Sequence, residues 1–112
     1  MLRNLYGVSL LLVGCASPLS EAKASFEQAR YPDSVAQYRA LEAEARALPP
    51  AELFEYSLYR GLSHLALGDA QAAQRWLARA KRLSDAQPEL ASAAERGRLL
   101  SAWRSLGYMP GD

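Results

Sequence analysis

The side chains best suited to chemistry are few in this chain. Its 112 residues include one cysteine, Cys15, and one histidine, His64. These cannot supply both a cysteine–histidine nucleophile and a zinc site, and a lone cysteine forms no disulfide within the chain. His64 lies among leucines and is interpreted as a structural residue, since no nucleophile is placed nearby. Glu52 and Glu55 share a helical face, where such carboxylates usually complement the helix dipole. Phosphate loops, metal-ligand spacings and serine–histidine–aspartate patterns are lacking in the sequence. We therefore expect no enzyme, no metal and no cofactor.

Three arginines form the clearest charged pattern. Arg75, Arg79 and Arg82 fall at i, i+4 and i+7, on one face of a predicted helix. Charge is uneven along the chain, with a net −3 in residues 21–55 and a net +4 in residues 74–104. The basic face could meet an acidic partner or anionic lipid headgroups. The alternative is an ordinary solvated face.

The first fifteen residues have the pattern of an export signal. Arg3 is the only basic residue before a largely apolar run at residues 5–13, which is followed by Gly14 and Cys15. Nine helical residues span roughly 14 Å, less than half of the ~30 Å hydrocarbon core, so the run is too short to cross a bilayer. A short charged start and a short apolar run are typical of a cleavable secretory signal.

The end of this signal, Leu12-Val13-Gly14-Cys15, resembles the lipobox of bacterial lipoproteins. The resemblance implies that Cys15 becomes the mature N terminus and carries covalent lipid. At ~0.8 kcal/mol per buried CH₂, two or three acyl chains anchor a protein permanently. In lipoproteins of this kind, an acidic residue directly after the cysteine favours retention in the inner membrane. Here that residue is Ala16, so the resemblance favours the periplasmic face of the outer membrane. The alternatives are a leader with a chance cysteine and a buried structural cysteine.

Composition and periodicity predict an all-α fold. Half of the residues are apolar, 9% are aromatic and 21 are alanine, which favours close-packed helices. Removal of Arg3 with the signal leaves a formally neutral chain, which argues against nucleic-acid binding.

Prolines and glycines divide the chain into five amphipathic helices that fit antiparallel helical hairpins. The helices are predicted to begin near Pro18, Asp33, Pro50, Asp69 and Pro88 and to end near Tyr31, Leu48, Gly68, Asp85 and Gly107. The predicted organisation is a signal at residues 1–14, a lipidated N terminus and tether at 15–17, a helical domain at 18–107 and a tail at 108–112.

Residues 56–88 resemble one tetratricopeptide repeat (TPR). The matching positions are Gly61, Gly68, Asp69, Ala73, Leu77, Ala80 and Pro88. A shift of 37 residues lays Ala24, Ala36 and Ala43 on Gly61, Ala73 and Ala80, which suggests a degenerate first repeat. The expected architecture is about two repeats plus a C-terminal capping helix, with an unrelated five-helix bundle as the alternative. Fewer than three repeats is marginal for a solenoid, which leaves self-association or docking on a larger partner open.

The TPR resemblance implies protein binding in a concave groove. Carried over by position, its groove residues in the second repeat are Glu55, Leu58, Leu62, Leu65 and Ala66. The alternative for the leucines is an ordinary place in the core, because a small protein needs its leucines buried. We expect a lipid-anchored envelope protein that acts as an interaction or assembly module for an envelope protein or peptide. The alternative is a structural envelope lipoprotein whose basic face contacts lipid headgroups or acidic polymer, with no peptide groove.

Overall fold

The computed structural model describes residues 17–112 of the chain. Within this part there are six α-helices, one short 3₁₀ turn and no strand, so the predicted all-α class is confirmed. The helices are α1 (Pro18–Glu27), α2 (Tyr31–Ala40), α3 (Glu42–Ala45), α4 (Pro50–Ala66), α5 (Ala70–Ala86) and α6 (Ala93–Ser105), and the 3₁₀ turn is Pro88–Leu90. The predicted signal and Cys15, the predicted lipidation site, lie outside the described residues. No helix in the described part is long and apolar enough to span a bilayer.

Helix caps explain where several elements begin. The Ser17 hydroxyl accepts a hydrogen bond from the Ser20 backbone N–H at 3.1 Å, and Pro18 follows in the first turn, as the sequence predicts. The Asp69 carboxylate likewise accepts from the Ala72 N–H at 3.2 Å and starts α5. These two caps fix the start of α1 and of α5 at the residues that the sequence indicates.

The prediction for the second helix is wrong at both ends. It begins at Tyr31, before the expected cap near Asp33, because Pro32 occupies the first turn, where its missing N–H is not needed. Ala29, at φ 60°, makes the preceding turn, so α1 ends earlier than predicted. The second helix also stops at Ala40 and is followed by the separate α3, instead of continuing to Leu48.

The last helix also begins later than predicted. Pro88 opens only a 3₁₀ turn, and α6 starts after Ser92. Ser92 and Glu95 form a reciprocal capping box, each side chain accepting the other residue's backbone N–H at 3.1 Å. This pair satisfies two N–H groups that a helix start leaves without a partner, and therefore sets the boundary.

Side-chain pairs define the directions of the helices around α4. Lys23 pairs with Glu55 and Phe26 contacts Tyr59, so α1 and α4 run the same way. Tyr59 also bonds to Glu95 near the start of α6, which runs in the same direction. The helix α2 runs the opposite way, as the contacts Ser34–Ser63 and Tyr38–Tyr56 show. The contacts His64–Asp69 and Gly61–Leu77 show the same for α5.

The core is centred on α4. Gly61 lies against α5 so closely that a Cβ there would be 2.7 Å from the Leu77 Cγ. Gly61 therefore lies at a close crossing of α4 and α5, and Ala73 and Ala80 of α5 are fully buried. The largest fully buried side chains include Tyr38, Tyr56, Phe54, Leu58, Leu77 and Leu99.

Candidate functional site

An open groove lies between α1, α4 and α6. Its volume is about 440 Å³, within the range of typical ligand sites. Leu62 and Leu65 enter it from α4, Phe26 from α1 and Ala102 from α6. These apolar side chains are accompanied by the hydroxyl and charged groups of Tyr31, Ser101, Ser105, Glu27 and Arg98. The groove thus has an apolar floor with polar groups around it.

An ion pair connects the two sides of this groove. The Arg98 guanidinium donates to the Glu27 carboxylate at 3.1 Å and to the Tyr59 hydroxyl at 3.2 Å. The Tyr59 hydroxyl in turn donates to Glu95 at 3.4 Å. The hydrogen bond that Arg98 donates to Glu27 raises the pKa of Arg98, and burial raises the pKa of Tyr59 to about 12. These hydrogen bonds join α6 to α1 and to α4.

Two of the groove residues carried over from the TPR resemblance lie in this groove. They are Leu62 and Leu65, both half-buried. Leu58 is fully buried, as in the core interpretation, and therefore is not accessible to a partner. Glu55 lines a separate cavity of about 250 Å³ and pairs with Lys23 at 3.5 Å. Ala66 is exposed at the end of α4, outside the residues that line the groove.

Sequence reasoning missed the residues that other helices contribute. Glu27 and Arg98 are 71 positions apart and become neighbours only through tertiary packing. Phe26 and Ala102 could be recognised as apolar positions of helices, but no local pattern assigns them to the same cavity. Most of the residues that line the groove therefore come from elements packed against α4 and not from α4 itself.

The basic face predicted on α5 carries three accessible arginines. Arg75 and Arg82 are exposed, and Arg79 is partly covered, with its guanidinium carbon 5.4 Å from the centre of the Trp76 ring. Within residues 17–112, none of the three lies within 4.0 Å of a carboxylate oxygen. The positive charge of this face is therefore not neutralised by local ion pairs.

A buried arginine lies beneath this face and was not singled out by the sequence. Arg60 donates to the Glu42 carboxylate at 2.7 Å and to the Tyr56 hydroxyl at 2.9 Å. Its guanidinium carbon is 4.2 Å from the centre of the Trp76 ring, so the charge is also stabilised by the π face. The hydrogen bond from Arg60 lowers the pKa of Glu42, which keeps the pair ionised. This pair joins α3 to the core.

His64 completes the buried cluster as a neutral imidazole. It is 3% exposed, and its Nε2 accepts a hydrogen bond from the Arg60 Nε at 3.4 Å. Burial, together with the charge of Arg60, lowers the pKa of His64 below its usual 6.5, although the nearby Asp69 opposes this. His64 is thus packed in the interior, in agreement with the structural interpretation of the sequence.

The described part of the chain, residues 17–112, contains no group of three or more potential metal ligands among its histidine, aspartate and glutamate side chains. Comparison with protein-family models, with curated proteins and with solved structures finds no match to this chain.

Proposed function

We propose that this protein is a lipid-anchored component of the cell envelope whose helical domain docks a partner protein or peptide and performs no catalysis. The observation that supports this proposal is the groove between α1, α4 and α6, with the half-buried Leu62 and Leu65 on its floor. An apolar floor with a few fixed polar groups suits a helical or extended peptide that presents apolar anchors. The charges of the Glu27–Arg98 pair would orient the bound partner at the edge of the groove.

The architecture is proposed to be TPR-like. In this interpretation α1 with α2 and α4 with α5 form two antiparallel hairpins, and α6 is the capping helix. The close approach at Gly61 and Leu77 supports the repeat interpretation, because TPR hairpins need a small residue where their helices cross. The same interpretation explains why α1, α4 and α6 share one direction and line one groove.

The proposed mechanism is tethering. Lipid on Cys15 would hold the domain close to the membrane, because only Ala16 and Ser17 separate the cysteine from α1, roughly 10 Å of chain. Confinement to a surface raises the effective concentration of the module for a partner in the same envelope compartment. A modest groove affinity is then sufficient for stable docking. In a double-membrane envelope, the periplasmic face of the outer membrane is the proposed location.

A pair of leucine variants tests the groove. We expect Leu65→Glu to abolish recovery of the partner from detergent-extracted membranes, because it places a charge on the apolar floor. The matched control is Leu67→Glu, two residues further on, where the side chain is 47% exposed and does not line the groove. Quantitative mass spectrometry of co-purified proteins should show at least one protein recovered with the wild type and with the control, and lost with Leu65→Glu.

A second variant separates loss of docking from loss of folding. Ser101 is exposed and lines the groove, so Ser101→Trp should fill the groove while the helical circular dichroism stays unchanged. Equal recovery of every co-purified protein by the wild type, Leu65→Glu and Ser101→Trp would refute docking in this groove.

A further inference from the structure

A positive surface extends beyond the three arginines of α5. Arg39 of α2 and Arg75 of α5 both lie near enough to His64 to lower its pKa. Arg46, in the connection that follows α3, and Arg75 both lie near enough to Glu42 to lower its pKa. Core contacts place these elements side by side: the ring centres of Tyr38 and Tyr56 are 5.3 Å apart, those of Tyr56 and Trp76 are 5.6 Å apart, and Arg60 contacts both Glu42 and Trp76. Because Arg39 follows Tyr38 and Arg75 precedes Trp76, these arginines lie on the side of the domain formed by α2, α3 and α5. We define the arginine surface as Arg39, Arg46, Arg75, Arg79 and Arg82.

Few carboxylates balance this surface. Within residues 17–112, none of its five arginines lies within 4.0 Å of a carboxylate oxygen. Glu42 is already held by the buried Arg60 at 2.7 Å, and Asp69, which also lies beside His64, caps the start of α5. Asp85 near the end of α5 is paired with Lys81 at 2.9 Å. Glu44 of α3 is the remaining acidic side chain of that helix, so positive charge predominates on the arginine surface.

The chain enters the domain beside this surface. Pro18, the first residue of α1, shares a cavity of about 220 Å³ with Gln37, Ala40 and Leu41. Ala40 directly follows Arg39, and Leu41 directly precedes α3. The tether of roughly 10 Å therefore leaves Arg39 within reach of a membrane that holds the chain through Cys15, although the carboxylates of Glu21, Glu52 and Glu55 also lie around Ser17 and Pro18.

The arginine surface and the groove lie on opposite sides of α4. Arg60 and His64 of this helix face the arginines, whereas Leu62 and Leu65 face the groove. At about 100° per residue, the mean direction of Leu62 and Leu65 is about 150° from that of Arg60 and His64, so binding at the arginine surface leaves the groove free. An arginine-bound membrane would thus leave the groove open to the compartment.

We propose that the arginine surface binds the phosphate groups of anionic lipid headgroups and holds the domain on the membrane with its groove facing outward. Guanidinium groups match phosphate oxygens through paired hydrogen bonds, and several of them together favour a surface that presents many phosphates. The proposal rests on the proposed anchoring at Cys15 for its cellular setting. The binding of phosphate-bearing lipid is a property of the folded domain and is measured separately.

The test is co-sedimentation of the full chain with lipid vesicles. A Cys15→Ser background prevents acylation, and vesicles of phosphatidylcholine measure what the apolar residues 5–13 contribute. We compare Arg39→Glu/Arg75→Glu with a matched control, Arg30→Glu/Arg104→Glu, which changes the net charge equally but lies in the α1–α2 turn and in α6. Both double variants are first checked for unchanged helical circular dichroism.

The expected result is preferential binding to vesicles that contain phosphatidylglycerol. Each arginine near an anionic bilayer increases the partition coefficient about fivefold. The partition coefficient of Arg39→Glu/Arg75→Glu should therefore fall at least about 25-fold, and that of the control should fall much less. Binding that does not depend on vesicle charge, or an equal loss in both variants, overturns the proposal. Because this background carries no acyl group, failure of the anchoring proposal would instead be detected in the mass of the wild-type protein.

Discussion

Arg60 is the residue that joins the interior of the domain to its surface. Its side chain is 5% exposed, and its strongest partner, the Glu42 carboxylate, is 45% exposed. Hydrogen bonds to charged groups contribute about 1.5–3 kcal/mol, and exposure of one partner reduces this value. We therefore expect Glu42→Gln to lower the free energy of unfolding by about 1–2 kcal/mol in urea denaturation. The matched control is Glu44→Gln, on the same short helix and exposed, where a change within about 0.5 kcal/mol is expected. Equal stability of the two variants would show that the Arg60–Glu42 pair contributes nothing.

His64 should make the stability of the domain depend on pH. Folding lowers its pKa below 6.5 through burial and the charge of Arg60, with Arg39 and Arg75 acting in the same direction and Asp69 against them. Between the folded pKa and 6.5, the unfolded chain binds more protons, so the free energy of unfolding falls as the pH falls through this window. We expect urea denaturation of His64→Gln to lose this part of the pH dependence below about pH 7. An unchanged slope in the variant would assign the acid sensitivity to other groups.

At the scale of the helices, the contact between α4 and α5 sets the shape of the domain. A Cβ on Gly61 would lie 2.7 Å from the Leu77 Cγ and 3.1 Å from its backbone nitrogen, so Gly61→Ala should force the helices apart. We expect Gly61→Ala to lower the free energy of unfolding by about 1–3 kcal/mol, because overpacking outweighs the better helix propensity of alanine. Gly97→Ala is the matched control within α6, where a Cβ meets nothing within 4 Å and stability should rise by up to about 1 kcal/mol. Thermal melts that shift in the same direction for both variants would contradict the close crossing. Gly61→Leu should cost several kcal/mol for the same reason.

Sequence reasoning is most successful for the elements whose boundaries depend on local chemistry. The start of α4 near Pro50 and the turn between α4 and α5 follow from proline, from Gly68 at φ 80° and from the Asp69 cap. The predicted starts of α2 and α6 are wrong because the turn at Ala29 and the Ser92–Glu95 capping box determine where these helices begin, and Pro32 and Pro88 alone do not. For the groove, helical spacing places Leu62 and Leu65 on one face, but burial of Leu58 depends on the packing of neighbouring helices. The Glu27–Arg98 pair has no local signal and could not be predicted.

At the scale of the whole molecule, the proposals assign a binding function to each of two opposite sides of the domain. The arginine surface would face lipid headgroups, the groove would face the compartment, and a short tether would keep both at the membrane. We expect Cys15→Ala to appear in the soluble fraction, or to remain unprocessed with its signal attached, because no acyl chain can be added to alanine. Fractionation followed by immunoblotting checks this. A membrane-bound product of Cys15→Ala with its signal removed would contradict lipid anchoring.

The most direct test of the central proposal is the intact mass of the wild-type protein extracted from its own membranes. The account predicts a chain that begins at Cys15 and carries the added mass of a diacylglycerol thioether, with or without a further amide-linked acyl chain. A chain that still begins at Met1 and retains an unmodified thiol at Cys15 would contradict it.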